Sequence, residues 1–296
     1  MRTETRYLDR PSGRIAYTVH APAHQDGHPD PSVHPDTTAG GDAPLVVLSP
    51  GMGDLRGVFC DVVGPLVAEG FRVATADLRG HGGSDATFES YDVPAIAGDL
   101  EALLEHLGAP VALVGHSVSA GAAAVVAADR PDLVRSLVLV SPHLHSAAGV
   151  VQTVLARLMT QAIRRPFGAA LWLGYYRSLF KGTLPGWFDE HLAAVRAALR
   201  DGAHLIAFGR LARALVTSPT PVPLERVTAP TLVVHGALDP EFGDPAAELG
   251  AALTGLEGSA AWVGGLLVPE AGHYPHAQRA DVVVPALLAH LARAHA

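Results

Sequence analysis

A serine stands where a buried apolar stretch of the chain gives way to small residues. Val111–Gly121 reads VALVGHSVSAG, with Ser117 at the change. An apolar run of this length predicts a strand that is buried on both faces, and the small residues that follow predict a closely packed helix. A serine at such a turn is held in a strained backbone conformation that projects its hydroxyl away from the sheet. Ser117 is therefore the candidate nucleophile.

The turn around the serine needs residues with almost no side chain on either side. Gly115 meets this need two positions before Ser117, and Ser119 stands two positions after it, where the usual pattern has glycine. A plain helix N-cap is the alternative interpretation, because serine is a preferred N-cap residue. The combination of strand, glycine, serine and small-residue helix favours the nucleophile.

Two other predicted strand ends supply a base and an acid. A serine hydroxyl attacks well only beside a base, and the base needs an acid that orients it. The stretch PTLVVHGALD ends at Asp239, and PEAGHYPH contains His273. Because the carboxyl ends of parallel strands meet at one edge of a sheet, we expect these side chains to lie beside Ser117. The order Ser117, Asp239, His273 along the chain is also the one expected when the nucleophile stands at a turn between a strand and a helix of a parallel sheet.

The competing candidates for base and acid are less well placed. His116 lies in the serine turn and is expected to be held by packing, and His235 lies within a strand. His276 comes three residues after the favoured position, in the start of the last helix. The apolar stretch 137–142 is followed by no carboxylate, which favours Asp239 as the acid.

Negative charge that develops on a substrate oxygen needs hydrogen-bond donors. The N–H of Val118, which follows the nucleophile, is one expected donor. The other is the N–H of Met52 in SPGMGD, because Gly51 and Gly53 let the backbone turn there. A simple glycine turn is the alternative. We predict that Met52 and Val118 form the oxyanion hole.

These residues must be positioned by a sheet. Two strands, Thr5–Asp9 and Arg14–His20, are expected to pair antiparallel near the beginning. After them, apolar runs alternate with helical segments, which predicts right-handed crossovers and an α/β fold with a mostly parallel, doubly wound sheet. The six apolar runs are Pro44–Gly51, Phe71–Gly82, Pro110–Ser117, Leu133–Pro142, Pro230–Asp239 and Ala260–His273.

One segment breaks the alternation. Residues 143–225 show no strand pattern and are predicted to form four helices separated by proline and glycine. We interpret 143–225 as an inserted helical cap on a core built from 1–142 and 226–296. Its aromatic residues are expected mainly to pack the cap onto itself and partly to face a pocket between cap and sheet. Which of them bind substrate does not follow from the sequence.

The composition excludes several classes of protein. Of the 296 residues, 49% are hydrophobic and 17% are charged, which is typical of a globular protein. The net charge of −8, without a cluster of Lys or Arg, argues against a nucleic acid or a membrane surface as partner. The single cysteine, Cys60, excludes an internal disulfide. Its helical spacing among apolar residues predicts a small buried side chain.

The remaining segments suggest neither export nor a metal. The first stretch, MRTETRYLDR, lacks the apolar segment of a signal peptide, so a soluble cytoplasmic protein is expected. Residues 21–43 are rich in Pro, Gly and Asp and predict a long exposed loop. His24, His28 and His34 in this loop are expected to be solvated, because no pattern of cysteines or carboxylates fixes them around a metal. We expect no metal and no cofactor, and a small hydrophobic molecule as partner.

The sequence contains five motifs of interest: GHSVSAG, SPGMGD, DLRGHGGSD, GALDPEF and EAGHYPH. Together they resemble the α/β-hydrolase superfamily, in particular its capped serine hydrolases. GHSVSA is especially similar to the branch that contains the karrikin and strigolactone receptors and a bacterial stress regulator. In this family DLRGHGGSD is mainly a structural loop, so Asp77 and His81 are not expected to be catalytic. The chain departs from the family at Ser119, for glycine, and at Pro50, where many relatives have histidine.

The resemblance implies a serine hydrolase of the carboxylic ester hydrolase type, acting on a small or medium-sized hydrophobic ester or lactone through an acyl-enzyme. The serine excludes the relatives that use an aspartate nucleophile. Three alternatives stay open on the same fold and residues. They are a ligand-binding receptor with slow turnover, a C–C bond hydrolase and a cofactor-free perhydrolase.

Overall fold

Eight strands form one sheet through the middle of the protein. The computed structural model describes residues 4–22, 43–144, 167–217 and 220–295. The strands are β1 (Thr5–Arg10), β2 (Gly13–His20), β3 (Leu45–Ser49), β4 (Arg72–Ala76), β5 (Val111–His116), β6 (Val134–Val140), β7 (Thr231–Gly236) and β8 (Val263–Val268). Their order in the sheet is β1-β2-β4-β3-β5-β6-β7-β8. β2 is antiparallel to β1 and β4, and all other neighbours are parallel. The predicted α/β fold with a mostly parallel sheet is confirmed.

Helices follow or precede the strands as the alternation predicts. Around the sheet lie α1 (Cys60–Ala68), α2 (Val93–Leu107), α3 (Val118–Asp129), α4 (Gly168–Leu179), α5 (Phe188–Arg200), α6 (Gly202–Thr217), α7 (Pro245–Leu256), α8 (Pro275–Gln278) and α9 (Ala280–His295). Short 3₁₀ helices occupy Arg56–Phe59 and Leu224–Arg226. Local signals set the ends of α2: the Asp92 side chain accepts the Ala95 N–H at its start, and Gly108 ends it at φ 87°.

The sheet separates two apolar cores. Alternate side chains of a strand point to opposite faces, and β3 shows this directly. Leu45 and Val47 belong to the core on one face, whereas Val46 and Leu48 belong to the core on the other. Helices α2, α3 and α7 contribute to the first core, and α1 and α9 contribute to the second. The central strands are therefore buried on both sides, which explains their continuous apolar sequence.

Helices α4, α5 and α6 lie between β6 and β7 in the chain, within the segment predicted as a cap. The first of the four predicted cap helices falls outside the described residues, so the boundaries 143 and 225 stay predictions. The same holds for most of the predicted loop at 21–43 and its three histidines. Aromatic residues in α4 and directly after it pack against each other and against the core. The ring centroids of Tyr176 and Phe180 are 5.4 Å apart, and the ring of Phe180 stacks on Tyr274 with centroids 4.3 Å apart.

The prediction that Cys60 is buried is wrong. Cys60 is exposed and is the first residue of α1. The helix turns Val62, Val63 and Leu66 toward the core, and this leaves its first residue at the surface. Within the described part of the chain, no helix combines the length and the apolar character that a membrane crossing needs.

A tight backbone contact joins the loops that follow β7 and β8. A Cβ atom at Gly236, the last residue of β7, would lie 1.9 Å from the carbonyl oxygen of Gly272. Two residues later, the Leu238 N–H donates to the Ala271 carbonyl at 2.8 Å. Only glycine at position 236 allows this approach. The contact places the residue after Leu238 beside the residue after Gly272, which are the predicted acid and base.

Gly236→Ala is expected to lower stability, because its methyl group must push the two loops apart. We expect a loss of about 1–3 kcal/mol in the free energy of unfolding. Gly250→Ala in α7 is the matched control, since no atom lies within 4 Å of its Cβ position. Because alanine favours helix, the control is expected to be neutral or slightly stabilised. Urea unfolding measures the free energy of unfolding of both variants. Equal values for Gly236→Ala and Gly250→Ala would contradict the close contact.

Candidate active site

Ser117 occupies a strained turn between β5 and α3. Its backbone angles are φ 55° and ψ −119°, a left-handed conformation that residues with a Cβ atom rarely adopt. A Cβ atom at Gly115 would lie 2.5 Å from the Ser119 carbonyl oxygen and 2.6 Å from the Cα atom of Ala120. Glycine is therefore required where the sequence has it. The Ser117 side chain is half-buried at the edge of the sheet where β5 ends.

The two departures from the family pattern contact each other. The buried Ser119 hydroxyl donates to the Pro50 carbonyl at 2.5 Å and lies 3.0 Å from the Ser49 hydroxyl. A glycine at position 119 makes no such bond. Ser119 thus ties the helix behind the nucleophile to the loop that carries Met52. The sequence hides this link, because the two positions are 69 residues apart.

The loop of SPGMGD runs directly against the nucleophile. A Cβ atom at Gly51 would lie 3.0 Å from the Ser117 Cβ atom, so the two turns touch. Gly53 has φ 72°, and its carbonyl accepts a hydrogen bond of 3.0 Å from the Trp172 indole of α4. The N–H of Val118, at the first position of α3, has no acceptor within its helix. The N–H of Met52 makes no hydrogen bond within the described residues.

Asp239 and His273 meet at the same sheet edge. The Nδ1 atom of His273 donates to Oδ2 of Asp239 at 2.7 Å. Both residues are 2% exposed. The other carboxylate oxygen of Asp239 accepts the Glu241 N–H at 3.0 Å. The backbone N–H of His273 donates to the Leu179 carbonyl of α4 at 2.9 Å, so the ring is held through both its side chain and its backbone.

The far side of the imidazole lies close to a second carboxylate. Nε2 of His273 lies 3.2 Å from Oε2 of Glu241. The Ser117 hydroxyl makes no hydrogen bond to any described residue. Burial alone would lower the pKa of His273, but the charges of Glu241 and Asp239 outweigh it and raise the pKa. Sequence reasoning missed Glu241, although it stands only two residues after Asp239.

The other histidines near the site are held neutral by burial. The His116 Nε2 atom donates to the His273 carbonyl at 2.9 Å, and burial lowers the pKa of His116 well below its usual value. Burial also lowers the pKa of His276 to about 3 and that of His235 to about 4. Neither ring nitrogen of His276 has a partner among the described residues. As expected, His116 is held by packing: its ring lies against those of His273, Tyr274 and His276.

A second buried acid, Asp54, connects the oxyanion loop to α4 and α5. Its side chain is fully buried and one oxygen accepts three hydrogen bonds, from His191 Nε2 at 2.6 Å, the Leu55 N–H at 2.7 Å and the Tyr176 hydroxyl at 3.2 Å. Burial would lower the pKa of His191, but the charge of Asp54 reverses the effect and raises it. Sequence reasoning missed this acid, whose one signal is its position directly after SPGMG.

Asp77 and His81 lie in a structural loop, as the resemblance implies. The Asp77 carboxylate accepts the backbone N–H groups of Arg56 at 2.7 Å and Gly83 at 2.9 Å, and it pairs with the Arg56 guanidinium. His81 Nδ1 donates to the Arg79 carbonyl at 2.9 Å. Both side chains are engaged in holding the loop together.

Comparison with known proteins decides the family. Residues 46–286 match the family model described as "Alpha/beta hydrolase family". The chain belongs to the α/β-hydrolase family. This α/β-hydrolase is similar in fold to a thermophilic esterase from Thermogutta terrifontis, with a TM-score of 0.73, 20% identity and 100% of both chains covered.

Two curated proteins are related by sequence to this α/β-hydrolase. The bifunctional esterase/perhydrolase DCH of Acinetobacter calcoaceticus is 30% identical over 189 residues, which is 58% of this chain and 65% of that protein. The chain thus matches slightly less than two thirds of that relative. The 2-(acetamidomethylene)succinate hydrolase of Mesorhizobium japonicum is 28% identical over 66% of this chain and 71% of that protein. The finer resemblance to the karrikin and strigolactone receptors stays a prediction.

Removing His191 is expected to destabilise the protein, because it leaves the buried charge of Asp54 without its cation. At a pH where His191 carries its proton, His191→Gln should lower the free energy of unfolding by about 3 kcal/mol. A raised folded-state pKa contributes stability below the unfolded value of about 6.5 and loses it as pH rises through the folded value. The variant should therefore lose more of its free energy of unfolding, relative to the wild type, at about pH 6 than at about pH 9.

Urea unfolding at both pH values measures this deficit. His204→Gln is the matched control, because its partner Asp201 is 57% exposed in its side chain, and its other hydrogen bond goes to the Ser84 carbonyl instead of a charged group. A pair with an exposed carboxylate contributes less than about 1 kcal/mol. A deficit for His191→Gln that is the same at both pH values would contradict a charged His191 in the folded protein.

Proposed function

We propose that this α/β-hydrolase is a serine hydrolase that cleaves a small or medium-sized hydrophobic carboxylic ester or lactone through an acyl-enzyme. The proposal depends on one observation: Ser117, in its strained turn, shares a sheet edge with the hydrogen-bonded pair of His273 and Asp239. A nucleophile, a base and an orienting acid are the three parts that acyl transfer needs.

Acylation begins when His273 Nε2 takes the proton of the Ser117 hydroxyl and Oγ attacks the carbonyl carbon. The carbonyl oxygen becomes negative, and the N–H groups of Met52 and Val118 stabilise it. Asp239 stabilises the imidazolium that forms. The bond from carbon to the leaving oxygen then breaks, and His273 returns its proton to that oxygen.

Deacylation uses the same groups with water as the nucleophile. His273 takes a proton from water, whose oxygen attacks the acyl carbon, and the bond to Ser117 Oγ breaks as Oγ regains a proton. Ser117 and His273 are not hydrogen-bonded in the resting structure, and such bonds often form only with substrate present. The reaction therefore requires that Nε2 be released from Glu241.

The residues next to the nucleophile support an apolar substrate. Met52 is half-buried in contact with both apolar cores, and Trp172 and Tyr176 of α4 lie against the oxyanion loop. Apolar and aromatic side chains around a few directed polar groups are typical of small-molecule sites.

The relative that carries both esterase and perhydrolase activity in its name favours a second candidate. In perhydrolysis, hydrogen peroxide replaces water: its oxygen attacks the acyl carbon, the Ser117 Oγ bond breaks, and a peracid leaves. His273 and the oxyanion donors serve both reactions. Hydrolysis stays the primary proposal because water needs no dedicated site.

Ser117→Ala is expected to abolish hydrolysis of p-nitrophenyl butyrate, lowering kcat/KM by at least about 10⁴-fold. A fluorophosphonate probe should add its mass to the wild-type protein and not to this variant. Ser141→Ala is the matched control, because Ser141 is also a strand-end serine with positive φ, at 41°. It should keep labelling and turnover.

Equal labelling of Ser117→Ala and the wild type would contradict the proposal. Product release that stops after one equivalent would favour the slow receptor instead of the enzyme. Added hydrogen peroxide separates the two reactions, because a perhydrolase then forms peracid in place of the free acid.

A further inference from the structure

Glu241 is held on both sides of its carboxylate. One oxygen lies 3.2 Å from Nε2 of His273, and the other accepts a hydrogen bond of 2.7 Å from the Tyr175 hydroxyl of α4. Its backbone N–H donates to Asp239. Glu241 therefore connects α4 to both the acid and the base of the proposed site.

The two contacts of the His273 ring favour one of its protonation states. Nδ1 faces the Asp239 carboxylate at 2.7 Å, and Nε2 faces the Glu241 carboxylate at 3.2 Å. An ionised carboxylate only accepts hydrogen bonds, so both carboxylates favour the form of the ring that carries a proton on each nitrogen. Two acids on opposite sides of the ring therefore stabilise its imidazolium form. An imidazolium has no lone pair with which to take the proton of Ser117.

We propose that Glu241 is a positioning residue that restrains the base: its carboxylate holds the Nε2 proton of His273 away from Ser117, and Tyr175 fixes the carboxylate in that place. The inference rests on the proposed function of His273 as the base. Its structural basis is the chain of contacts from Tyr175 through Glu241 to Nε2.

The restraint ends when Nε2 loses its proton to solvent. The bare nitrogen and the carboxylate then present lone pairs to each other, and their contact is no longer favourable. The ring can then accept the hydrogen bond of Ser117. The exposed fractions permit this movement, because the Glu241 side chain is 24% exposed and Tyr175 is 40% exposed. A substrate that displaces Tyr175 removes the same restraint.

Other titratable groups around His273 also influence its pKa. Burial and the charge of Glu241 raise the pKa of Tyr175, so Tyr175 stays a neutral donor to the carboxylate. His116, His235 and His276 are kept neutral by burial. The groups that face or act on the ring are Asp239 and Glu241 after β7, His235 of β7, His116 of β5, Asp54 after β3, and Tyr274 and His276 next to His273.

The test compares how fast a fluorophosphonate probe labels Ser117 from about pH 5 to about pH 9, a range that spans histidine titration. Glu241→Gln keeps the shape of the side chain and removes its charge. Tyr175→Phe removes only the hydroxyl, and the double variant combines them. Glu257→Gln is the matched control, because Glu257 is exposed at the end of α7.

For Glu241→Gln we expect the acidic limb of the labelling profile to move down by about one pH unit, so that labelling near pH 6 is about tenfold faster. Above the limb, the two rates should converge. Tyr175→Phe should shift the limb in the same direction by less. In the Glu241→Gln background, the Tyr175 change should have no further effect, because Tyr175 acts through Glu241. Glu257→Gln should keep the wild-type profile.

Titration of the His273 ring by NMR gives a readout that needs no activity. The pKa of His273 should fall in Glu241→Gln and stay at its wild-type value in Glu257→Gln. An unchanged profile together with an unchanged His273 titration would overturn the inference, as would equal effects of Tyr175→Phe in both backgrounds. Absence of labelling at every pH would instead contradict the proposed function, and the NMR titration would still decide the role of Glu241.

Discussion

The contact between the loops that follow β7 and β8 is the constraint on which the site depends. Gly236 lets its backbone approach the Gly272 carbonyl, and the Leu238 N–H bonds to the Ala271 carbonyl. Asp239 and His273, far apart along the chain, follow this contact directly. Their hydrogen bond of 2.7 Å is a consequence of where two parallel strands end. The acid and base are thus placed by backbone geometry before any side chain interacts.

The backbone of His273 also links the core to α4 and β5. Its N–H donates a hydrogen bond to the carbonyl of Leu179, the last residue of α4. Its carbonyl accepts a hydrogen bond from Nε2 of His116, at the end of β5. Asp54 and Trp172 repeat this pattern around the oxyanion loop, where one buried carboxylate and one indole tie α4 and α5 to SPGMGD. The proposed base and the oxyanion loop are therefore both attached to the helices that follow β6. A movement of α4 would change the base and the oxyanion loop together.

The sheet and the serine turn were predictable because their signals are local. Buried parallel strands have continuous apolar sequence, and the strained conformation of Ser117 needs a glycine at a fixed spacing. The pairing of Asp239 with His273 follows from one general rule about strand ends. Cys60 was misplaced because helical spacing does not say which side of a short helix faces the core.

The contacts that sequence reasoning missed join positions with no fixed spacing. Ser119 bonds to Pro50, and Asp54 bonds to His191, across separations that depend on how helices settle on the sheet. Glu241 stands two residues after a predicted residue, yet only the path of its loop brings its carboxylate to His273. Such contacts follow from packing in three dimensions.

A crystal structure of the protein after reaction with a fluorophosphonate tests the central claim most directly, because it shows the nucleophile and its partners in one state. The account predicts phosphorus bonded to Ser117 Oγ, with the phosphoryl oxygen about 3 Å from the backbone nitrogens of Met52 and Val118. The His273 ring should then lie beside Oγ, no longer paired with Glu241. Phosphorus on another residue, or a phosphoryl oxygen that faces neither N–H group, would contradict the account.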